Sequence, residues 1–206
     1  MQLVKDSIYL DWENKKIVCS LPVRGKETDF LTSNKDIAMK VLDQQCKRWY
    51  NDENKDSILE AFEKLFKTGD TRFMHQLSDE ELAEFAEKPV QYFIPWRVVY
   101  NDSITTPVRP VLDGSTGTRK RKDGTGGRCL NDYVVKGKIE TLNLIRLVLI
   151  FSIGLFAVTG DLSQFYYSFM LLPEQWNLQR FLWRQDLDPC NPVMEGIIGA
   201  LIYGIK

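Results

Sequence analysis

The sequence predicts an α+β fold in which a helical segment precedes a β-rich one. Apolar residues recur at helical spacing between residues 33 and 88, and these stripes stop at glycine or before proline. From Val90 onward the composition changes to β-branched and aromatic residues, arranged in short runs that are separated by turns. Helices followed by strands are typical of the α+β class.

The composition is that of a globular protein with enough chain for one good core or two small ones. Of its 206 residues, 44% are hydrophobic and 27% are charged, and the net charge is −1. Because the chain has no overall basic excess, any surface that binds nucleic acid must be local.

The four cysteines indicate neither a zinc site nor a disulfide framework, because they are widely separated and form no C-x-x-C pair. A reduced, intracellular chain is therefore expected. The first residues carry charges and lack the apolar stretch of a secretory signal, so secretion is not expected. The cysteines are Cys19, Cys46, Cys129 and Cys190.

Residues 1–30 are predicted to form an extended arm. Two β-like runs, residues 7–10 and 16–21, flank a polar turn there, which suggests a small hairpin.

Residues 31–88 are predicted to form a helical segment. Ser33 with Asp36 resembles a capping box for its first helix, and Ser78 with Glu81 resembles one for its third. The second helix is expected to end at Gly69 after a stripe of Ile58, Leu59, Phe62, Leu65 and Phe66.

The single histidine, His75, falls in the predicted loop between the second and third helices. No cysteine or second histidine is near it in the sequence. We therefore expect an ordinary surface or capping residue and exclude histidine-based catalysis.

The charge-free stretch at residues 147–158 is shorter than the roughly 20 residues that a membrane-spanning helix requires. We expect a buried helix end that continues through Gly154 into a short buried strand at residues 155–158. No membrane segment is expected, and a small membrane-associated protein is only a weaker alternative.

The predicted strand is followed by Thr159, Gly160 and Asp161, which places one carboxylate at its exit. A carboxylate there suits a hard divalent cation, because the strand fixes the oxygens and the loop beyond leaves room for a phosphate. The commoner role of an aspartate after an apolar run is to begin a turn. Spacing alone favours the turn.

The residues from Asp161 onward resemble the first palm motif of reverse transcriptases, most closely that of the BEL/Pao group of LTR retroelements. They comprise D-L-x-x-F-Y, a turn containing Pro173, and Q-R-F-L-W-R at residues 179–184. The resemblance implies that Asp161 binds a catalytic Mg²⁺ with help from the Leu162 carbonyl. It also implies that Tyr166 packs under the sugar of the incoming nucleotide and excludes a 2′-hydroxyl.

A second motif lies in a predicted hairpin, in which residues 90–100 and 105–112 are joined by a short turn. Y-F-I-P-W and, after the turn, V-R-P-V-L-D-G-S are similar to the fingers hairpin of the same reverse transcriptases. The resemblance implies that Arg109 contacts the triphosphate, and a guanidinium suits that role because its planar fork pairs with two phosphate oxygens. Pro110 departs from the family pattern, since proline removes a strand N–H. An arginine that simply faces water is the alternative.

Residues 114–128 form a glycine-rich basic segment without the G-x-x-x-x-G-K-[ST] pattern of a Walker phosphate loop. Its cations could follow a nucleic-acid backbone without reading sequence, or they could simply be solvated. These cations are Arg119, Lys120, Arg121, Lys122 and Arg128. The L-N-D that follows again matches the family, and the resemblance implies that the segment touches template or primer.

The resemblance covers residues 89–206 and implies a partial right-hand polymerase fold, with the fingers hairpin and the first palm strands. The 206 residues contain no Tyr-x-Asp-Asp, so they supply only Asp161 of the family's three metal-binding carboxylates. Two Mg²⁺ ions need more ligands than that. We therefore predict a reverse transcriptase fragment that has no polymerase activity of its own.

In the complete protein the implied reaction is RNA-templated DNA synthesis, in which the primer 3′-hydroxyl attacks the α-phosphate of a deoxynucleotide. The implied partners are an RNA or DNA primer-template, deoxynucleotides, and the remaining polyprotein domains, namely thumb, RNase H and integrase. The alternative is a non-catalytic retroelement remnant that acts at most as a nucleic-acid-binding module.

Overall fold

The computed structural model describes residues 8–13, 16–67, 74–102, 107–117, 127–136, 143–156, 158, 160 and 165–202. Within these residues helices are mixed with strands in small sheets, which confirms the α+β class. The α-helices are α1 (Glu27–Phe30), α2 (Lys35–Trp49), α3 (Lys55–Lys67), α4 (Asp79–Ala86), α5 (Leu130–Tyr133) and α6 (Leu144–Ile153). The strands are β1 (Ile8–Asp11), β2 (Lys16–Cys19), β3 (Met74–Gln76), β4 (Trp96–Tyr100), β5 (Val108–Leu112), β6 (Phe169–Leu171), β7 (Arg180–Arg184) and β8 (Val193–Ile198).

The described strands form three small sheets. The first has the order β1-β2-β6, in which β1 and β2 form the predicted N-terminal hairpin and β6 runs parallel to β2. The second has the order β3-β8-β7 with antiparallel pairs, and the third is the β4-β5 hairpin. Hydrogen-bonded strands therefore connect residues 1–30, 31–88 and 89–206, and the division into these three segments stays a prediction.

The β3-β8-β7 sheet is the centre of the core, and its two faces pack against different helices. Successive side chains of a strand point to opposite faces, so Trp183 and Arg184 of β7 face different helices. The ring of Trp183 contacts that of Phe62 in α3, with centroids 4.6 Å apart. Arg184 Nη2 lies 2.8 Å from Asp43 Oδ1 in α2. The mostly apolar strand β7 is thus covered on both sides, as its sequence indicates.

A buried asparagine joins α2 to the segment before the β4-β5 hairpin. Asn34 Nδ2 donates to Phe93 O at 2.8 Å, and Phe93 N donates to Asn34 Oδ1 at 2.7 Å. The neighbouring Ser33 accepts a hydrogen bond from Gln91 N at 3.1 Å instead of capping the helix. The prediction of a cap at Ser33 is therefore wrong, and α2 begins at Lys35 without a side-chain cap.

The capping box predicted for α4 is confirmed, whereas the loop predicted for His75 is wrong. Ser78 Oγ accepts from Glu81 N at 3.2 Å, and Ser78 N donates to the Glu81 carboxylate at 3.0 Å. His75 is the middle residue of β3 and pairs with Ile197 of β8. Its partner strand lies far along the chain, so local sequence did not reveal the pairing. Its Nε2 lies 3.4 Å from Glu81 Oε1.

The buried strand predicted at residues 155–158 is also wrong. Leu155, Phe156 and Val158 have no regular secondary structure and are more than nine-tenths exposed. The preceding helix, α6, has no buried residue, so the expected buried helix end is not found either. Among the described residues, no helix is both long enough and apolar enough to cross a membrane.

Candidate nucleotide and nucleic-acid interface

The predicted hairpin is confirmed, although its first strand begins at Trp96 and not at residue 90, and one of its faces belongs to the core. In the β4-β5 pair, Trp96 lies opposite Leu112, and both are buried. Trp96 Nε1 donates to Leu182 O of β7 at 3.0 Å, which fixes the hairpin to the central sheet. Pro110 lies opposite Val98 in this two-stranded sheet, where both strands are edges and a missing N–H is tolerated.

The other face of the hairpin, its outer face, carries two arginines. Arg97 pairs with Val111, and Val99 pairs with Arg109. All four residues are exposed. Cross-strand partners point to the same face, and diagonal neighbours on such a face are about 7–8 Å apart. Arg109 therefore lies where a phosphate group in solvent can reach it.

Asp113 fixes the base of the hairpin. Its carboxylate accepts hydrogen bonds from Ser115 N at 3.0 Å and from Thr116 Oγ1 at 2.8 Å. Burial alone would raise the pKa of the Asp113 carboxyl, but the bonds from Ser115 and Thr116 and the charge of Arg97 outweigh burial and lower the pKa. Arg97 Nε lies 3.7 Å from Asp113 Oδ2. The ionised carboxylate thus lies beside Arg97 at the start of the basic segment.

Tyr92 brings the two ends of the basic segment together. Its hydroxyl donates to Thr116 O at 2.7 Å and accepts from Leu130 N at 3.0 Å. Burial raises the pKa of the Tyr92 hydroxyl, which therefore keeps the proton that it donates. A Cβ atom at Gly117 would lie 2.6 Å from Arg128 O, so glycine allows the two ends to touch. Gly117 and Arg128 therefore lie next to each other beside the hairpin.

Among the predicted site residues, Arg109, Tyr166 and Arg128 lie in the described part of the chain. Arg109 and Arg128 are exposed, and Tyr166 belongs to the 3₁₀ helix Phe165–Ser168 ahead of β6. The other predicted residues lie outside the described residues, and their roles stay predictions. They are Asp161, Leu162, Arg119, Lys120, Arg121 and Lys122.

Within the described residues, no group of three or more histidine, cysteine, aspartate or glutamate side chains is placed to hold a metal ion. Because Asp161 lies outside those residues, its predicted role as an Mg²⁺ ligand stays a prediction.

Sequence reasoning missed a buried ionic network around β7. Arg180 is 2% exposed, pairs with Glu195 of β8, and stacks 4.6 Å from the centre of the Phe93 ring. Glu195 also pairs with Lys35 of α2. Burial lowers the pKa of Arg180, and the carboxylate of Glu195 only partly offsets that effect. Because the network joins α2, β7 and β8, we assign it a structural role. Its sequence signal was an arginine at the start of an apolar run.

Comparison with known proteins adds no assignment. No family model matches the chain, and no curated protein matches it. The resemblance to BEL/Pao-type reverse transcriptases therefore depends on the motif residues alone.

Proposed function

We propose that this chain is the fingers and first palm portion of a BEL/Pao-type reverse transcriptase and does not polymerise DNA by itself. The observation that carries the proposal is the β4-β5 hairpin, which presents Arg109 to solvent directly ahead of the basic segment. The two motifs also support it, because one supplies this hairpin and the other supplies β7. The protein would act inside the cell, in the cytoplasm or in a retroelement particle.

In this proposal different side chains contact different parts of the substrate. Arg109 would pair with two phosphate oxygens of the incoming deoxynucleotide, as a guanidinium fork favours. Tyr166 would lie under the sugar of that nucleotide. The basic segment, which includes Arg128, would contact the primer-template backbone without reading its sequence.

The residues of this chain do not suffice for the metal chemistry of polymerisation. Two-metal nucleotidyl transfer needs several oxygen ligands around both Mg²⁺ ions. The sequence offers Asp161 but no Tyr-x-Asp-Asp, and the described residues contain no group of three or more histidine, cysteine, aspartate or glutamate side chains that could hold a metal. We therefore assign Mg²⁺ to the complete protein, with Asp161 and the Leu162 carbonyl as ligands, and assign no reaction step to this chain alone.

Primer extension on an RNA template with Mg²⁺ tests the proposal. The 206-residue chain is compared with a version lengthened, from the coding sequence beyond Lys206, until it includes a Tyr-x-Asp-Asp and a thumb. We expect extension only by the longer protein, with loss of activity in Asp161→Asn. Asp36→Asn, at an exposed position of α2, is the matched control and should stay active. Extension by the 206-residue chain would overturn the claim that it does not polymerise DNA by itself.

The second candidate is a non-catalytic retroelement remnant that binds nucleic acid through the basic segment. The contact between Gly117 and Arg128, at the two ends of that segment, favours it because it holds Arg128, an exposed cation of the segment, beside the hairpin. Replacing the four cations of residues 119–122 by glutamine should reduce the salt dependence of RNA binding by about 0.7 per lost phosphate contact. RNA binding with no extension by the lengthened protein would favour the remnant.

A further inference from the structure

We infer that Arg97 is a second phosphate-binding residue on the outer face of the β4-β5 hairpin, and that it binds a nucleic-acid strand. The inference rests on the proposed function, because it takes Arg109 as the first phosphate-binding residue of the same face. The motif resemblance gives Arg97 no role.

The register of the hairpin places the two arginines together. Arg97 and Arg109 occupy one diagonal of the outer face, and Val99 and Val111 occupy the other. The valines are 49% and 40% exposed, so apolar surface separates the two charges. Two guanidinium groups beside apolar surface suit phosphates that are attached to sugars better than they suit a free inorganic anion.

Asp113 lies beside Arg97 without occupying it. The Nε–Oδ2 distance of 3.7 Å is longer than the about 2.7–2.9 Å of a charge-assisted hydrogen bond. The same carboxylate already accepts hydrogen bonds from Ser115 and Thr116. The Arg97 side chain is 55% exposed, so its terminal nitrogens can reach a ligand in solvent.

Arg97 also lies between two other cationic positions. Arg97 pairs with Val111, and Arg109 pairs with Val99. The pair of Arg97 and Val111 lies nearer the base of the hairpin. At that base, Asp113 bonds to Thr116, and the next residue, Gly117, touches Arg128. The cations thus follow one another from Arg109 through Arg97 to Arg128, at the end of the basic segment. A series of cations fits successive phosphates of a strand better than it fits one triphosphate.

The test compares binding of two ligands by the full 206-residue chain. Fluorescence anisotropy measures binding of a labelled single-stranded RNA across a salt series, and a competition assay measures binding of a deoxynucleotide triphosphate with Mg²⁺. We expect Arg97→Ala to weaken RNA binding roughly three- to tenfold and to reduce the salt slope by about 0.7, with deoxynucleotide affinity unchanged. Arg97→Lys should lose less, because it keeps the charge but not the fork. Lys40→Ala, an exposed lysine of α2, should match the wild type.

Asp113→Asn separates binding from structure. If Arg97 served only to pair with Asp113, this variant would weaken RNA binding as much as Arg97→Ala. We expect instead that RNA binding is retained or becomes tighter, because the substitution removes a negative charge next to the bound RNA strand. Thermal unfolding of each variant identifies any loss that comes from misfolding, and Arg97→Lys then carries the comparison.

Three results would overturn the inference: no RNA binding by the wild type, an unchanged salt slope in Arg97→Ala, or a loss confined to the deoxynucleotide. These results are distinguishable from failure of the proposed function. Primer extension could fail while RNA binding still depends on Arg97, which would leave a strand-binding surface on a non-catalytic protein. Conversely, an active lengthened enzyme indifferent to Arg97 would remove only the inference.

Discussion

The strand β7 and the helix α6 both contain apolar runs, yet β7 is buried and α6 is exposed. In β7 every residue but Arg184 is buried, whereas α6 has no buried residue at all. Strand β7 hydrogen-bonds to β8 and is covered by α2 and α3. Burial of an apolar segment is thus favourable, but whether the segment is buried depends on elements distant in the chain that pack against it.

This comparison predicts where substitutions destabilise the fold. Around β7 a lost side chain leaves a cavity, and an added one meets a filled space. On α6 neither applies, because the side chains already face solvent. Matched substitutions at the two places measure the difference directly.

The largest expected difference in stability is between alanine substitutions of two phenylalanines, one in the core and one on α6. Phe62 is 1% exposed, and its ring lies 4.8 Å from that of Trp96 and 4.6 Å from that of Trp183. Phe62→Ala should lower the free energy of unfolding by about 3–5 kcal/mol in urea titrations. Phe151→Ala on α6, where the side chain is 51% exposed, should change it by less than about 0.5 kcal/mol. Equal losses would mean that α6 is packed in solution.

The next largest difference in stability is expected when a methyl group is added at each of two glycines. A Cβ at Gly196 of β8 would lie 2.5 Å from the ring of Phe181 and 2.7 Å from His75 O, whereas a Cβ at Gly160 would meet nothing within 4 Å. Gly196→Ala should therefore cost about 1–3 kcal/mol of unfolding free energy. Gly160→Ala should be close to neutral. A neutral Gly196→Ala would show that both the Phe181 ring and the His75 carbonyl move aside freely.

The elements that sequence could predict were those with local signals. The capping box of Ser78 and Glu81, the β4-β5 hairpin and the strand β7 all follow from residues within a few positions of each other. The pairing of His75 with Ile197 and the bonds between Asn34 and Phe93 were out of reach, because each joins residues far apart in the sequence.

The candidate site shows the same division. Arg109 was predicted from a motif, and the hairpin around it is confirmed. Arg97 was missed. Side chains alternate between the two faces of a strand, so Arg97 lies on the same face as Val99, two positions away, and Val99 pairs with Arg109. Its relation to Arg109 depends on the register, which the length of the connection sets and the sequence alone did not fix. The bonds of Tyr92 to Thr116 and Leu130 were likewise long-range.

A smaller effect is expected at alkaline pH from a thiol beneath the central sheet. Cys46 of α2 is 0% exposed, and burial raises the pKa of its thiol from 9.0 to about 11. The unfolded chain therefore ionises Cys46 first, so its contribution to stability is full below pH 9 and is lost between pH 9 and about 11. The difference between the two pKa values limits the loss to about 2.7 kcal/mol.

Urea titrations across this pH range check that loss. The wild type should lose more stability than Cys46→Ala, although the variant starts from a lower value because of its cavity. Cys190, in the exposed turn after β7, is the matched control. Cys190→Ala should keep the wild-type pH dependence, and identical slopes in all three proteins would contradict the burial of Cys46.

The smallest expected effect comes from two helix caps. Ser78 caps α4, which is anchored in the core by buried Phe85, so Ser78→Ala should cost about 1 kcal/mol of global stability. Asn143 caps α6 by accepting a hydrogen bond from Arg146 N at 3.2 Å. Because α6 has no buried side chain, its unwinding is separate from global unfolding. Asn143→Ala should therefore reduce helical ellipticity and leave the urea midpoint unchanged. A lowered midpoint would mean that α6 contributes to the cooperative core after all.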